Sequence, residues 1–122
     1  MNQVGYCIST HQDTLKNNPG LVERFVRATM VAYKETEKNP DAAVNSMADI
    51  VGGTMAENSG KEQARSVLDL TLGILYSKAN TNRTMGLHVD SDWADMLGLM
   101  KKFNDLQTSK SASDFYTNQF IN

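Results

Sequence analysis

The chain has 122 residues, 40% of them apolar, and its 12 basic and 14 acidic side chains give a net charge of −2. This length fits one modest domain or part of a larger one. A slightly acidic chain without a basic cluster argues against nucleic acid or an anionic membrane surface as a partner. Its apolar runs are too short to cross a membrane, and the single cysteine excludes an intramolecular disulfide.

A short apolar segment at 3–8, QVGYCI, predicts the one strand of the chain. A lone strand leaves its backbone N–H and C=O groups unpaired, which costs free energy once the strand is buried. We therefore expect it to pair outside the chain, with a missing part of a larger protein or with a second copy in a homodimer. Within this strand we expect Cys7 to be a buried, unreactive thiol.

The clearest helix is predicted over 19–38. Asn18 is a suitable N-cap, and Pro19 suits the first helical position, where its missing N–H costs nothing. The apolar residues that follow recur at helical spacing, namely Leu21, Val22, Phe25, Val26, Met30 and Tyr33. This recurrence predicts a continuous buried stripe that includes Phe25.

Three further helices are predicted from apolar residues at helical spacing, at about 41–51, 61–77 and 92–104. Ser59 and Glu62 match a capping box for the second of these, and Ser91 is a suitable cap for the third. The terminal segment 112–121 carries four large apolar residues, which we expect to dock on the fold. The chain is thus predicted to be mostly α-helical.

Candidate chemical groups are few. His11 and His88 have no metal-type partners at regular spacing, so a surface or hydrogen-bonding role is favoured over metal binding. Asp90 and Asp92 flank a helix start, where the helix dipole favours carboxylates. No phosphate-binding loop, dinucleotide fingerprint or serine-nucleophile elbow is present. The sequence therefore predicts a chain without catalytic residues, metal ligands or a cofactor.

The order of motifs along the chain is distinctive. The helix start NPGLVERFVRAT at 18–29 is followed by a second start, NPDAA, at 39–43. A helix that opens with Trp93 comes later, and DFYTNQFI at 114–121 closes the chain. This order resembles the C-terminal part of ABC-transporter substrate-binding proteins of the type that binds thiamine-pyrimidine precursors, alkanesulfonates, taurine or nitrate (type II periplasmic binding protein-like).

The resemblance implies that residues 1–122 are the C-terminal part of a two-lobed α/β protein. The strand at 3–8 would return from the second lobe, and the helices would cover the first. It also implies non-catalytic capture of a small-molecule ligand, in the periplasm or on an extracellular membrane anchor, for an ABC-transporter permease. Any signal sequence would lie outside this chain.

Three residues beside the returning strand are the candidates for ligand contact. Tyr6 could present its ring to a heterocycle, and Thr10 and His11 could donate hydrogen bonds. Strand packing and helix capping are the plainer roles for all three, since Thr10 is also placed to cap a short helical turn at 9–17.

Two other functions are open at this point. The same resemblance extends to pyrimidine-precursor biosynthesis enzymes, which act on a bound cofactor with their own histidine. The chain could also be a free-standing helical interaction module.

Overall fold

The structure, a computed structural model, describes residues 4–121. Five α-helices follow one another in this range: α1 (Gln12–Asn17), α2 (Pro19–Lys38), α3 (Pro40–Val51), α4 (Asn58–Gly73) and α5 (Asp90–Phe103). Short 3₁₀ helices occur at Gly53–Ala56 and Ala112–Asp114. The mostly helical fold class is confirmed, because about 64% of the described residues are helical and none of them lies in a strand.

The strand predicted at 3–8 is not formed over residues 4–8, and Gln3 lies outside the described range. Residues 4–10 have no regular secondary structure apart from a bend at Tyr6, and Cys7 is exposed rather than buried. The physical reason is that a strand without a neighbouring strand leaves its backbone N–H and C=O groups unpaired. Without a partner strand among the described residues, this segment forms no sheet, and residues 5–10 are exposed to solvent.

The two Asn-Pro pairs start two successive helices by the same capping chemistry. The Asn18 side-chain oxygen accepts a hydrogen bond from the Leu21 N–H at 3.3 Å, and the Asn39 oxygen accepts one from the Ala42 N–H at 3.1 Å. The proline that follows each asparagine occupies the first helical position. α2 consequently has the same bounds as the helix predicted at 19–38.

The two later helices begin earlier than the sequence indicates. α4 begins at Asn58 after Glu57, whose side chain makes no capping hydrogen bond. Ser59 therefore lies within the first turn, and the predicted capping box of Ser59 and Glu62 does not start the helix. α5 begins after Val89, so that Ser91 is likewise an internal residue and not the cap.

The chain divides into two compact units, with α2 beginning in the first and ending in the second. The first unit contains residues 4–28 and 76–121, and in it α5 packs against the 3₁₀ helix Ala112–Asp114. The second contains residues 29–75, in which α3 and α4 pack on each other and on the 3₁₀ helix Gly53–Ala56. The buried apolar residues are small or medium in size: Val22, Val26, Met85, Leu97 and Ala112 in the first unit, and Val44 and Ala48 in the second.

α2 buries a narrower stripe than its sequence predicts. Val26 is 7% exposed, whereas Phe25 is 59% exposed, and Leu21 is exposed with it. Leu21 and Phe25 are four residues apart and form a second apolar stripe, displaced by about 100° from that of Val22 and Val26. The prediction that Phe25 is a core residue is therefore wrong for this chain.

Gly60 is a point of close contact inside the second unit. A Cβ atom at Gly60 would overlap the Thr54 carbonyl oxygen and lie 2.9 Å from the Met55 Cα. Both are backbone atoms of the 3₁₀ helix, which cannot rotate out of the way as a side chain can. Only glycine lets this turn approach the first turn of α4.

We expect Gly60→Ala to lower the free energy of unfolding by about 1–3 kcal/mol, the usual range for overpacking. The measurement is urea unfolding followed by circular dichroism. Gly98→Ala in α5 is the matched control, since a Cβ at Gly98 meets nothing within 4 Å. That control should be neutral, or stabilising by up to about 1 kcal/mol through helix propensity. Equal effects of the two substitutions would contradict the close contact.

Candidate functional site

The three predicted ligand residues lie in the irregular segment or at the start of the first helix. Tyr6 is 81% exposed at the bend, and Thr10 and His11 are also exposed. His11 rather than Thr10 is the N-cap of α1, because its Nδ1 accepts a hydrogen bond from the Asp13 N–H at 3.2 Å. His11 thus has the helix-capping role, and the side chain of Tyr6 is exposed to solvent.

A groove of about 720 Å³ lies within the second unit, between α3, α4 and the 3₁₀ helix that joins them. This volume is in the range of about 300–1,000 Å³ that is typical of small-molecule sites. The groove has a largely apolar wall that includes Met47, Met55, Val67 and Leu68. Hydroxyl and amide groups interrupt that wall, and Glu57 is the charged residue beside it. Such a lining suits an apolar group better than a small anion.

The guanidinium of Arg65, in the same unit, already forms ion pairs with two carboxylates. Arg65 of α4 places Nη1 2.5 Å from the Asp69 carboxylate and Nε 2.8 Å from Asp41 in the first turn of α3. The contact with Asp41 is an ion pair without hydrogen-bond geometry, since the buried Nε has no hydrogen-bond partner. Arg65 therefore stabilises the contact between the two helices and does not offer a site for a sulfonate or nitrate ion.

An aromatic cluster in the first unit joins α5 to the end of the chain. Trp93 stacks on Tyr116 with ring centroids 5.7 Å apart, and on Phe115 at 6.3 Å. His88, in the loop before α5, contacts the rings of both Trp93 and Tyr116. The segment 112–121, for which we expect docking, thus contacts α5 through its aromatic residues.

His88 is the best-connected polar residue of this cluster. Its backbone N–H donates to the Asn118 side-chain oxygen at 2.9 Å, and the Asn118 amide donates back to the His88 carbonyl at 2.8 Å. Its Nδ1 accepts from the Trp93 indole N–H at 3.2 Å. Because Nδ1 is an acceptor, this geometry assigns the neutral tautomer with the proton on Nε2.

Nearby carboxylates do not form a catalytic arrangement with His88. Asp90 is exposed and accepts a long hydrogen bond of 3.5 Å from the Tyr116 hydroxyl. Asp92 is buried, and its Oδ1 has no hydrogen-bond partner. Since the Trp93 indole occupies Nδ1, His88 is not oriented by a carboxylate as a general base would be.

Two further observations on residues 4–121 concern metal binding and nucleophilic chemistry. No group of three or more His, Cys, Asp or Glu side chains there could hold a metal ion. Cys7 is exposed, but desolvation raises the pKa of its thiol, so the thiol stays protonated at neutral pH and is a poor nucleophile. No helix in this range is long and apolar enough to span a bilayer.

Comparison with known proteins supports the resemblance over part of the chain. A family model described as NMT1/THI5 like matches residues 2–43, about a third of the chain. The match confirms the resemblance to substrate-binding proteins over this segment, which contains Tyr6, Thr10 and His11. Searches of curated proteins and of solved structures give no match.

Two cations of the second unit, Arg65 and Lys38, form ion pairs, and their side chains differ in exposure, which allows a matched test. Arg65→Met is expected to lower the free energy of unfolding by about 1 kcal/mol, with a smaller loss at 1 M salt, because screening weakens partly exposed pairs. Lys38→Met breaks the more exposed Lys38–Glu35 pair, at 2.7 Å, and should cost only a few tenths of a kcal/mol, about the value of an exposed helical pair. Thermal unfolding at low and high salt measures both. A loss for Arg65→Met that does not change with salt would contradict an electrostatic role.

Proposed function

Proceeding from the NMT1/THI5-like match at residues 2–43, we propose that the chain is the C-terminal part of an extracytoplasmic solute-binding protein. The full-length protein would capture a small molecule and present it to an ABC-transporter permease without reacting with it. The family match is the observation that carries this proposal, since it supports a role in solute binding for transport or in related pyrimidine biosynthesis. It also covers the segment with the proposed ligand residues.

Open apolar faces support the idea that these helices belong to a larger protein. Six large apolar side chains of α3, α4 and the C-cap of α4 are each more than half exposed, namely Met47, Ile50, Val51, Val67, Leu70 and Ile74. Among the described residues, no large side chain is fully buried. Helices with one apolar face need another layer to cover it, and in an α/β fold that layer is a sheet. We propose that the upstream lobe supplies this sheet.

The proposed ligand contacts are Tyr6, Thr10 and His11. An exposed tyrosine ring can stack on a flat heterocycle, and hydroxyl and imidazole N–H groups can donate to its polar edge. This donor set favours a thiamine-pyrimidine precursor over a sulfonate- or nitrate-like anion. Closure of two lobes on the ligand would then depend on contacts that only the closed state makes.

The direct test is ligand binding by the full-length protein, measured by thermal shift and calorimetry against a thiamine pyrimidine, taurine, an alkanesulfonate and nitrate. A single-site ligand at about a hundred times its Kd should add about 2.7 kcal/mol of stability. Tyr6→Leu should weaken binding about tenfold, equivalent to about 1.4 kcal/mol. Lys16→Ala in α1 is the control and should leave the affinity unchanged.

The outcomes of this test distinguish an error in the proposed function from an error in the proposed ligand residues. If no compound binds, solute capture is contradicted. If one binds and Tyr6→Leu has the same affinity as the unmodified protein, the function stands and the assignment of Tyr6 is wrong. Iron or pyridoxal phosphate in the purified full-length protein would instead support the pyrimidine-precursor biosynthesis enzyme.

Substitutions at the neighbouring residues Val26 and Phe25 test whether the upstream lobe covers an apolar face of α2. In the isolated chain, Val26→Ala should cost about 2 kcal/mol because it removes buried methyl groups, whereas Phe25→Ala should cost less than about 1 kcal/mol. In the full-length protein, Phe25→Ala should cost about 3–5 kcal/mol, since the upstream lobe would cover the Leu21–Phe25 stripe. Urea unfolding of both proteins gives these values. A small loss in both contexts would show that the upstream lobe leaves this stripe open.

A further inference from the structure

His88 connects the last residues of the chain to α5 by two separate sets of bonds. Its backbone exchanges two hydrogen bonds with the Asn118 side chain, which fixes the terminal segment. Its imidazole accepts the indole N–H of Trp93, which fixes the ring to α5. The Tyr116 ring also packs on the imidazole, with centroids 5.5 Å apart. His88 is thus a bonded link between the terminal segment and the helix.

This link requires a neutral imidazole. Nδ1 has one lone pair, and the Trp93 N–H uses it. A proton on Nδ1 would turn this acceptor into a donor, so that the Nδ1–H of His88 and the indole N–H of Trp93 would point at each other. The same proton would place a charge among the rings of Trp93 and Tyr116. Protonation therefore removes one bond of the link and adds the cost of a partly buried charge.

We propose that His88 is a proton-sensitive latch, which holds the terminal segment 112–121 on α5 when neutral and releases it when protonated. The latch needs no ligand, metal or partner, and it does not depend on the solute-binding proposal. It gives the chain a response to acidification that none of its sequence motifs indicates.

The charged groups around the latch do not oppose release. The titratable residues on the elements packed against His88 are Asp90, Asp92, Asp95, Lys101 and Lys102 of α5, and Asp114 and Tyr116 of the terminal segment. Asp90 interacts with the Tyr116 hydroxyl, and Asp92 is buried. Burial lowers the pKa of His88 below its ordinary 6.5, and no neighbouring charge contributes to this shift. A nearby carboxylate that stabilised the imidazolium would raise this pKa instead.

The direction of the pH dependence follows from this lowered pKa. As pH falls below 6.5, an undocked His88 binds a proton before the docked one does. Docking is therefore at full strength above pH 6.5 and is lost progressively as pH falls through the lower pKa of the docked residue.

The chain carries its own probe, because Trp93 is the single tryptophan of the sequence. We expect its fluorescence to change reversibly between pH 8 and pH 5, with a midpoint below 6.5, while the helical circular dichroism is retained. Since an imidazolium can quench an indole without any movement, NMR supplies the second readout. The cross-peaks between the Trp93 indole and the Tyr116 ring should disappear over the same pH range.

Three variants make the test specific. His88→Gln keeps a hydrogen-bond acceptor that does not titrate, so its fluorescence and cross-peaks should stay constant from pH 8 to pH 5. His11→Gln should keep the transition of the unmodified chain. Asn118→Ala should lose the Trp93–Tyr116 cross-peaks already at pH 8, because the backbone bonds of the link are gone.

Either of two results would overturn the latch. One is persistence of the Trp93–Tyr116 cross-peaks in the unmodified chain at pH 5 with His88 protonated, as read from its ring resonances. The other is an unchanged transition in His88→Gln, which would place the titrating group elsewhere.

Discussion

The architecture depends on the need of every backbone N–H and C=O for a hydrogen-bond partner. Helices meet this need internally, and residues 12–73 are helical with only short interruptions. A strand cannot meet it alone, so residues 4–8 stay irregular although their composition suits a strand. The core is shallow as well, because several large apolar side chains of α3 and α4 are exposed and residues 4–121 contain no sheet on which they could be buried.

Local signals predicted the parts of the fold that depend on neighbouring residues. Asn18 and Asn39, each followed by proline, cap helices where the sequence places them. The buried side of α2 was harder to predict, because its apolar residues form two adjacent stripes at the same spacing. Periodicity shows that Phe25 and Val26 both belong to a helix. It does not show which stripe meets the core, since that choice depends on packing partners far away in the chain.

The candidate site, too, could be predicted only in part from the sequence. Tyr6, Thr10 and His11 came from a resemblance that the family match now supports over residues 2–43. The cluster around His88 could not be predicted in detail, because His88 and Asn118 are 30 residues apart and share no repeat. The signals were a tryptophan at helical spacing and an aromatic chain end, which indicate burial but do not name a partner. The hydrogen bonds of the imidazole become apparent only in three dimensions.

The groove of the second unit also has a consequence for the chemical durability of the chain. Two of its wall residues, Met47 and Met55, are thioethers, and Met47 is 51% exposed. Oxidation of a methionine to its sulfoxide turns an apolar side chain into a polar one. In an oxidising medium the open groove would therefore become polar with time and lose affinity for any apolar surface. A covering layer would shield both sulfur atoms, so the rate of methionine oxidation reports whether this face is covered.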